Sequence, residues 1–291
     1  MKLEYIEKTI KYKTIKEVLK NHFNISNRLL LKLKQSNNIL KNDKVANIND
    51  EININDKITV IINFIENSEN IVATEMNLDI VFEDEAMLII NKPAGIPVHP
   101  SQTHFTDSLS NGVMFYFLNK NINCKIHPVN RLDKDTSGLV IFAKNQYIQE
   151  CFIKQMSQNI FQKKYFAILN GKLEKSSGII EAPIARKENS IIEREINSNG
   201  QNAITEYKLI KTFDNYSLVE FKLKTGRTHQ IRVHSKFLGH PILGDSLYGK
   251  ESNLISHQAL HAYKISFLHP VTKKAMVFKI PLPIDMQILI H

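Results

Sequence analysis

The sequence predicts an α+β protein in two parts, a small N-terminal unit and a larger domain, and three observations predict it. From residue 78 onward, strand-like segments outnumber helical ones and the two do not alternate strictly, which argues against a doubly wound parallel sheet. The first 62 residues read as helix, helix, strand, strand. Residues 63–77 lie between, acidic and short of large apolar side chains, and read as a linker. At 291 residues and 43% hydrophobic content, the chain can bury a sizeable core in one large domain or two unequal ones.

In the first part, "TIKEVLKNHF" (14–23) sets Ile15, Val18, Leu19 and Phe23 on one helical stripe. In "NISNRLLLKLKQSNN", Ser26 is the expected N-cap and Leu29, Leu30 and Leu33 the buried face. Arg28, Lys32 and Lys34 lie off that face and can reach solvent or phosphate. The strands "NILKND" and "DKITVII" follow, with turns at Asn42-Asp43 and Asn55-Asp56.

In the second part, residues 78–291, "LDIVFEDEAMLIINKPAGIPVHP" reads as two strands and a turn. "TDSLSNGVMFYFLNK" is a helix capped by Thr106 or Asp107, and "QYIQECFIKQMSQ" is another. Strands follow at "KKYFAILNG", "GIIEAPI", "AITEYKLIKTF" and "SLVEFKLKT". In the last, Val219, Phe221 and Leu223 share one face and Glu220, Lys222 and Lys224 the other. "THQIRVHSKFLGHP" reads as a helix from Thr228 as N-cap to Gly239 as the C′ residue, with Pro241 beyond. "HAYKISFLHPVTKKAMVFKIPL" reads as a terminal hairpin.

The formal net charge is +9 and the pI about 9.3. It falls in blocks: a net of +7 over residues 1–45, −9 over 46–90 and +11 beyond. A basic surface suits a polyanion such as RNA, although solubility alone would also explain it. Cys124 and Cys151 have no metal or disulfide spacing and read as reduced thiols of a cytoplasmic protein. No apolar run reaches the roughly 18–20 residues of a membrane span, and the N-terminus does not read as a secretory signal.

Several stretches could carry chemistry. "NRLDKDTSG" sets Asp133 and Asp135 beside Arg131 and Lys134. Neighbouring cations favour an ionised carboxylate, which suits a nucleophile or general base. On spacing alone, a turn whose Asp side chains bond local backbone N–H groups is the simpler reading. "TGRTHQIRVH" holds Arg227, His229, Arg232 and His234. The histidines are five apart, not four, and no paired Glu accompanies them, so a metal site is rejected. Its arginines could pair with a carboxylate or a phosphate, and a solvated helix face explains them equally well. Tyr165 could stack on a base, though a core aromatic is the plainer reading. "NKPAG" lacks the GK[ST] end of a P-loop, so no nucleoside triphosphate is expected.

Five stretches, in order, resemble the motifs of the RluA-type pseudouridine synthases: "VFEDEAMLIINKPAGIPVHP", "NRLDKDTSGLVIFAKN", "FQKKYFAILNG", "TGRTHQIRVHSKFLGHPILGDSLYG" and "QALHAYKISFLHP". The resemblance covers roughly residues 78–283. Residues 1–62 are similar to an S4 RNA-binding domain, with Asn-Asp where such domains usually show Asn-Gly and Gly-Asp.

The resemblance implies a mixed, largely antiparallel sheet in the catalytic domain and an enzyme that isomerises specific uridines in structured RNA. Large-subunit ribosomal RNA is the first choice of substrate and transfer RNA the alternative. It implies that Asp133 is the catalytic aspartate and that Arg131 holds the RNA with its target base out of the stack. Tyr165 then packs against the flipped uracil, Arg232 pairs with the aspartate at bidentate distance, and Ile231 and Leu260 wall the pocket. Arg227, Arg28, Lys32 and Lys34 are expected RNA contacts. No cofactor, metal or membrane is expected, and the protein is expected to be a monomer. Asn130 stands where the family usually has His, and is expected to tune RNA contact. A catalytically silent RNA-binding or ribosome assembly protein on the same fold is the alternative.

Overall fold

The computed structural model describes residues 1–63 and 71–290, so residues 64–70 of the expected linker lie outside the described residues. The N-terminal unit opens with a strand that its sequence pattern did not suggest, β1 (Lys2–Ile6), where only Leu3 is buried. α1 (Ile15–Glu17) runs directly into a π-helical turn, Val18–His22, and together they form the expected first helix with Ile15, Val18 and Leu19 inside. α2 (Asn27–Gln35) starts at Ser26, whose hydroxyl accepts from the Leu29 N–H and satisfies one of the orphan donors of the first turn.

β2 (Ile39–Lys41), β3 (Lys44–Val45) and β4 (Lys57–Ile61) complete a four-stranded antiparallel sheet in the order β1-β4-β2-β3. The β2–β3 turn needs positive φ at both central residues, and Asn42 and Asp43 adopt it at 49° and 64°.

The larger part begins with β5 (Ile80–Glu83), β6 (Met87–Lys92), α3 (Leu109–Asn119), β7 (His127–Pro128), β8 (Ser137–Ala143) and α4 (Gln146–Ser157). β9 (Gln162–Asn170), β10 (Ser177–Glu181), β11 (Ile184–Arg186), β12 (Arg194–Ile196), β13 (Ile204–Thr212) and β14 (Tyr216–Leu223) follow. α5 (Gln230–Phe237), β15 (Leu260–Leu268), β16 (Ala275–Lys279) and α6 (Ile284–Ile288) complete the chain.

A ten-stranded sheet runs β10-β13-β14-β9-β15-β8-β6-β5, with β16 paired to β15 and β7 to β8. This is an α+β architecture with a largely antiparallel sheet. Among the described strands only β8 and β15 pair in parallel, through His261–Ser137 and Ala262–Gly138.

Two caps differ from expectation. α3 is capped by Ser108, which shares a capping box with Asn111, and not by Thr106 or Asp107. α5 is preceded by His229 in the left-handed region, φ 57°, and not capped by Thr228. Gly239, φ 84°, ends it as expected.

The central strands explain their apolar runs. Every residue of β8 is buried, and its side chains alternate between two cores. Val140 and Phe142 join one with Leu88, Ile90, Val219 and Phe221. Leu139, Ile141 and Ala143 join the other with Met87 and Ile89. A strand covered on both faces reads as a continuous apolar stretch.

The second core is continuous with that of the N-terminal unit, through Ile15, Leu19, Leu29 and Leu33. The unit docks on α4. Tyr147 Oη donates to the Phe23 carbonyl at 3.0 Å, Ser26 Oγ to Glu150 at 3.1 Å, and Lys154 to Asn24. Among the described residues no helix is long and apolar enough to cross a membrane.

Candidate active site

The segment 130–136 joins β7 to β8 and is anchored at alternate positions. Asn130 is buried, donates from Nδ2 to the Leu139 carbonyl at 3.0 Å and accepts the Ile141 N–H at 3.0 Å. Its amide thus stands in for a strand neighbour of β8. Both ends of its amide are engaged with backbone, and Asn130 also lies in the lining of the cleft described below.

Leu132 is buried, and the Thr136 hydroxyl accepts from Gln258 at 2.8 Å. The Lys134 carbonyl accepts from the buried Lys92 ammonium at 2.8 Å; Lys92 also donates to Pro93 and Ile96. Arg131, Asp133 and the Lys134 side chain are left facing outward, with Asp133 28% exposed. A close glycine follows. Gly138 has φ 118°, and a Cβ there would sit 2.5 Å from the Ala262 carbonyl oxygen across the parallel β8–β15 junction.

The partner side of the site comes from the turn 225–229 and α5. Gln230 is buried and fixes the turn: its Oε1 accepts from Thr225 Oγ1 and the Arg227 N–H, and its Nε2 donates to the Ile204 carbonyl and Thr205. His234 lies on the inner side of α5, bonded to Thr205 and the Ala182 carbonyl, and is structural.

Arg232 forms a bidentate pair with the buried Asp245, Nε to Oδ2 at 2.7 Å and Nη2 to Oδ1 at 2.8 Å. Only Nη1 reaches Asp133, at 3.4 Å to Oδ2. The expected bidentate pairing with Asp133 is therefore corrected: two of the three guanidinium nitrogens belong to Asp245, which aims the third at Asp133. Burial works against the Arg232 charge, but Asp245 and then Asp133 outweigh it and hold the guanidinium above its ordinary value. Its plane also lies 5.0 Å from the Tyr248 ring centroid.

His229 gives Asp133 a second neighbour. Its Nε2 is 4.0 Å from the same Oδ2. Its Nδ1 is 2.8 Å from Tyr248 Oη, which accepts the Arg194 N–H at 2.8 Å. Tyr248 Oη thus ties the imidazole to the Arg194 backbone and fixes the ring with Nε2 facing Asp133. Burial pushes the imidazole down against the pull of Asp133, so the ring is neutral at pH 7. Both contacts to Asp133 fall on Oδ2.

These groups line one open cleft of about 850 Å³, together with Tyr165, Ile231, Leu260, Arg131 and Arg227. Tyr165 from β9, Ile231 and Leu260 are buried and give it an apolar wall. Burial, and then the Asp133 charge, push the Tyr165 hydroxyl up, so the ring is neutral. Arg227 donates from Nε to the Asn202 carbonyl at 3.0 Å. Arg28, Lys32 and Lys34 do not line the cleft, and Lys32 lies 3.5 Å from Gln146 of α4. Among the described residues no cluster of three or more His, Cys, Asp or Glu could hold a metal ion. The arrangement offers a carboxylate, a neutral aromatic and an apolar wall in a cleft rimmed by cations.

The profile of the family described as RNA pseudouridylate synthase matches residues 86–236, just over half of the chain. The chain belongs to this family. The uncharacterized RNA pseudouridine synthase YhcT of Bacillus subtilis is 44% identical over 72% of this chain and 70% of its own length. The ribosomal large subunit pseudouridine synthase D of Zymomonas mobilis is 37% identical over 74% of this chain and 72% of its own. The solved structure of human RNA pseudouridylate synthase domain containing 1 superposes with a TM-score of 0.59 at 25% identity, covering 70% of this chain and 83% of that one.

As an RNA pseudouridine synthase, the protein catalyses an isomerisation. Its cleft gathers Asp133, Tyr165, Ile231, Arg232, Leu260, Arg131 and Arg227 from segments spread over residues 131–260. Sequence reading set Asp245, Tyr248 and Lys163 inside motifs but gave none of them a role. The "GDSLYG" stretch gave no signal that its aspartate would meet an arginine thirteen residues earlier. Lys163, two residues before Tyr165 on a strand, lay on the same face in plain sight.

Proposed function

We propose that Asp133 is the catalytic carboxylate of this pseudouridine synthase and that its substrate is large-subunit ribosomal RNA. The observation that carries the first part is the mounting of Asp133. Its Oδ2 is met by Arg232 and approached by His229, and the side chain opens on a cleft walled by Tyr165, Ile231 and Leu260. A uridine extruded from a helix costs a few kcal/mol in lost stacking and pairing, and an aromatic against its exposed face recovers part of that. Tyr165 is suited to that contact and Arg131, at the cleft, to holding the strand.

The reaction breaks the N1–C1′ bond of uridine, turns the base and joins C5 to C1′. One proton leaves C5 and one is gained at N1, so no net redox change or leaving group is involved. The ribosomal substrate is supported by the names of relatives such as the Zymomonas mobilis enzyme. The N-terminal unit, with Arg28 and Lys34 exposed on α2, is read as an S4-like RNA-binding module.

Asp133→Ala is expected to abolish tritium release from 5-tritiated uridine in cellular RNA while the protein stays folded, and Asp135→Ala to retain activity. Full activity in the Asp133 variant overturns the assignment. Mapping pseudouridines in RNA from cells with and without the gene tests the substrate: a difference confined to transfer RNA rejects the ribosomal reading.

A further inference from the structure

β9 carries two cleft residues on one face. Lys163 and Tyr165 are two apart on the strand, so both point the same way, about 6–7 Å from each other along the chain. Both line the cleft that holds Asp133. The Lys163 ammonium lies near the turn 225–227: a Cβ built on Gly226 would meet that Nζ at 3.9 Å and nothing else within 4 Å.

Three nearby lysines of the sheet are matched. Lys164 pairs with Glu220 at 2.7 Å, and Lys222 and Lys224 pair with Glu206 at 3.7 and 3.0 Å. The Lys163 ammonium makes no hydrogen bond or ion pair among the described residues. It is only partly exposed, and burial pushes its pKa down to about 8 with no carboxylate pulling it back. A half-buried cation with no counter-charge is unfavourable in the free protein. It is understandable where the ligand brings the anion.

We propose that Lys163 is a phosphate-binding residue that takes a phosphodiester flanking the target uridine, while Tyr165, two positions along the strand, takes the base. Two positions along a strand are about 6–7 Å apart, a separation that a base and a phosphate of its own nucleotide can span. Arg131 and Arg227, also in the cleft lining, continue the positive rim along which the strand would run. The inference rests on the assignment of the Asp133 cleft as the catalytic site.

The test is steady-state tritium release from 5-tritiated total RNA of cells lacking the gene, at several salt concentrations. Asp133→Ala runs alongside, and activity in that variant overturns the catalytic assignment itself, independently of Lys163. Lys163→Met is expected to raise the apparent KM about tenfold, to reduce the slope of log(kcat/KM) against log[salt] by about one, and to leave kcat within about threefold. Lys163→Arg, which keeps the charge, should restore both KM and slope. The Met variant should have an unchanged or higher Tm, because it removes an uncompensated charge.

Unchanged KM and slope overturn the proposal. So does a fall in kcat with KM and slope intact, which would place the lysine at the reacting base. A marked loss of Tm in both the Met variant and Lys163→Gln makes the residue structural and also overturns it.

Discussion

A buried arginine is tolerated where its charge is balanced and its fixed fork of donors is met. Arg232 satisfies this with Asp245, whose Oδ1 also accepts the Leu247 and Tyr248 N–H groups at 3.1 Å. The contact to Asp133 is therefore the weaker of its two carboxylate pairings, and Asp133 keeps its Oδ1 free of both neighbours. Asp245→Asn is expected to cost about 3 kcal/mol of stability, since it leaves a buried guanidinium undercompensated. It should also lower kcat by roughly 10- to 100-fold with KM for RNA little changed, because Nη1 is no longer aimed. Denaturant unfolding and tritium release measure the two effects separately. The residue types of this site were legible in the motifs. The hierarchy among them was not, because it depends on Asp245 folding back beneath α5.

The segment between β7 and β8 owes its shape to its neighbours. Lys92 closes the "NKPAG" turn and holds the Lys134 carbonyl, so one ammonium ties two loops together. Burial pushes Lys92 down to about 7 against the pull of Asp135 and Asp133, yet three carbonyl acceptors match the three donors of the charged form. Lys92→Met leaves three inward carbonyls without a partner. It is expected to cost about 3–5 kcal/mol, within the cost of breaking a buried charged network, and to lower activity as the Asp133 loop loosens; thermal unfolding checks the first and tritium release the second. Gly138 sets a second constraint. Gly138→Ala combines positive φ with a 2.5 Å clash on the Ala262 carbonyl and should abolish soluble folded protein on expression. The sequence marked this segment as a polar turn before an apolar strand, but not that the strand pairs in parallel with β15.

At the scale of the molecule, the N-terminal unit is seated on α4 and shares a continuous core with one face of the large sheet. Tyr147 Oη bonding to the Phe23 carbonyl crosses that junction inside the core. Tyr147→Phe removes the donor and keeps the ring. It should cost about 1–2 kcal/mol, the usual price of one buried hydrogen bond whose acceptor is left unmatched, read as a fall in denaturant midpoint. An independent, earlier unfolding of residues 1–62 in the unaltered protein would contradict a shared core. Periodicity located the helices of this unit and their buried faces: Leu29, Leu30 and Leu33 are all inside. It passed over β1, a short edge strand with one buried residue, and the docking, because a helix pattern says which face is apolar and not what covers it.

By itself the sequence determined the α+β class, the order of most elements and the positions of the chemical groups, because side-chain periodicity and turn chemistry are local properties of the chain. It also placed Asp133, Tyr165 and Arg232 in motifs without setting any distance between them. Only the tertiary structure decided that Arg232 belongs first to Asp245, that Asn130 completes the bonding of β8, and that the Lys163 ammonium stands in the cleft without a partner among the described residues. Each of these depends on which residue from a distant segment arrives within about 3 Å, and hydrogen bonds and ion pairs act only at that range.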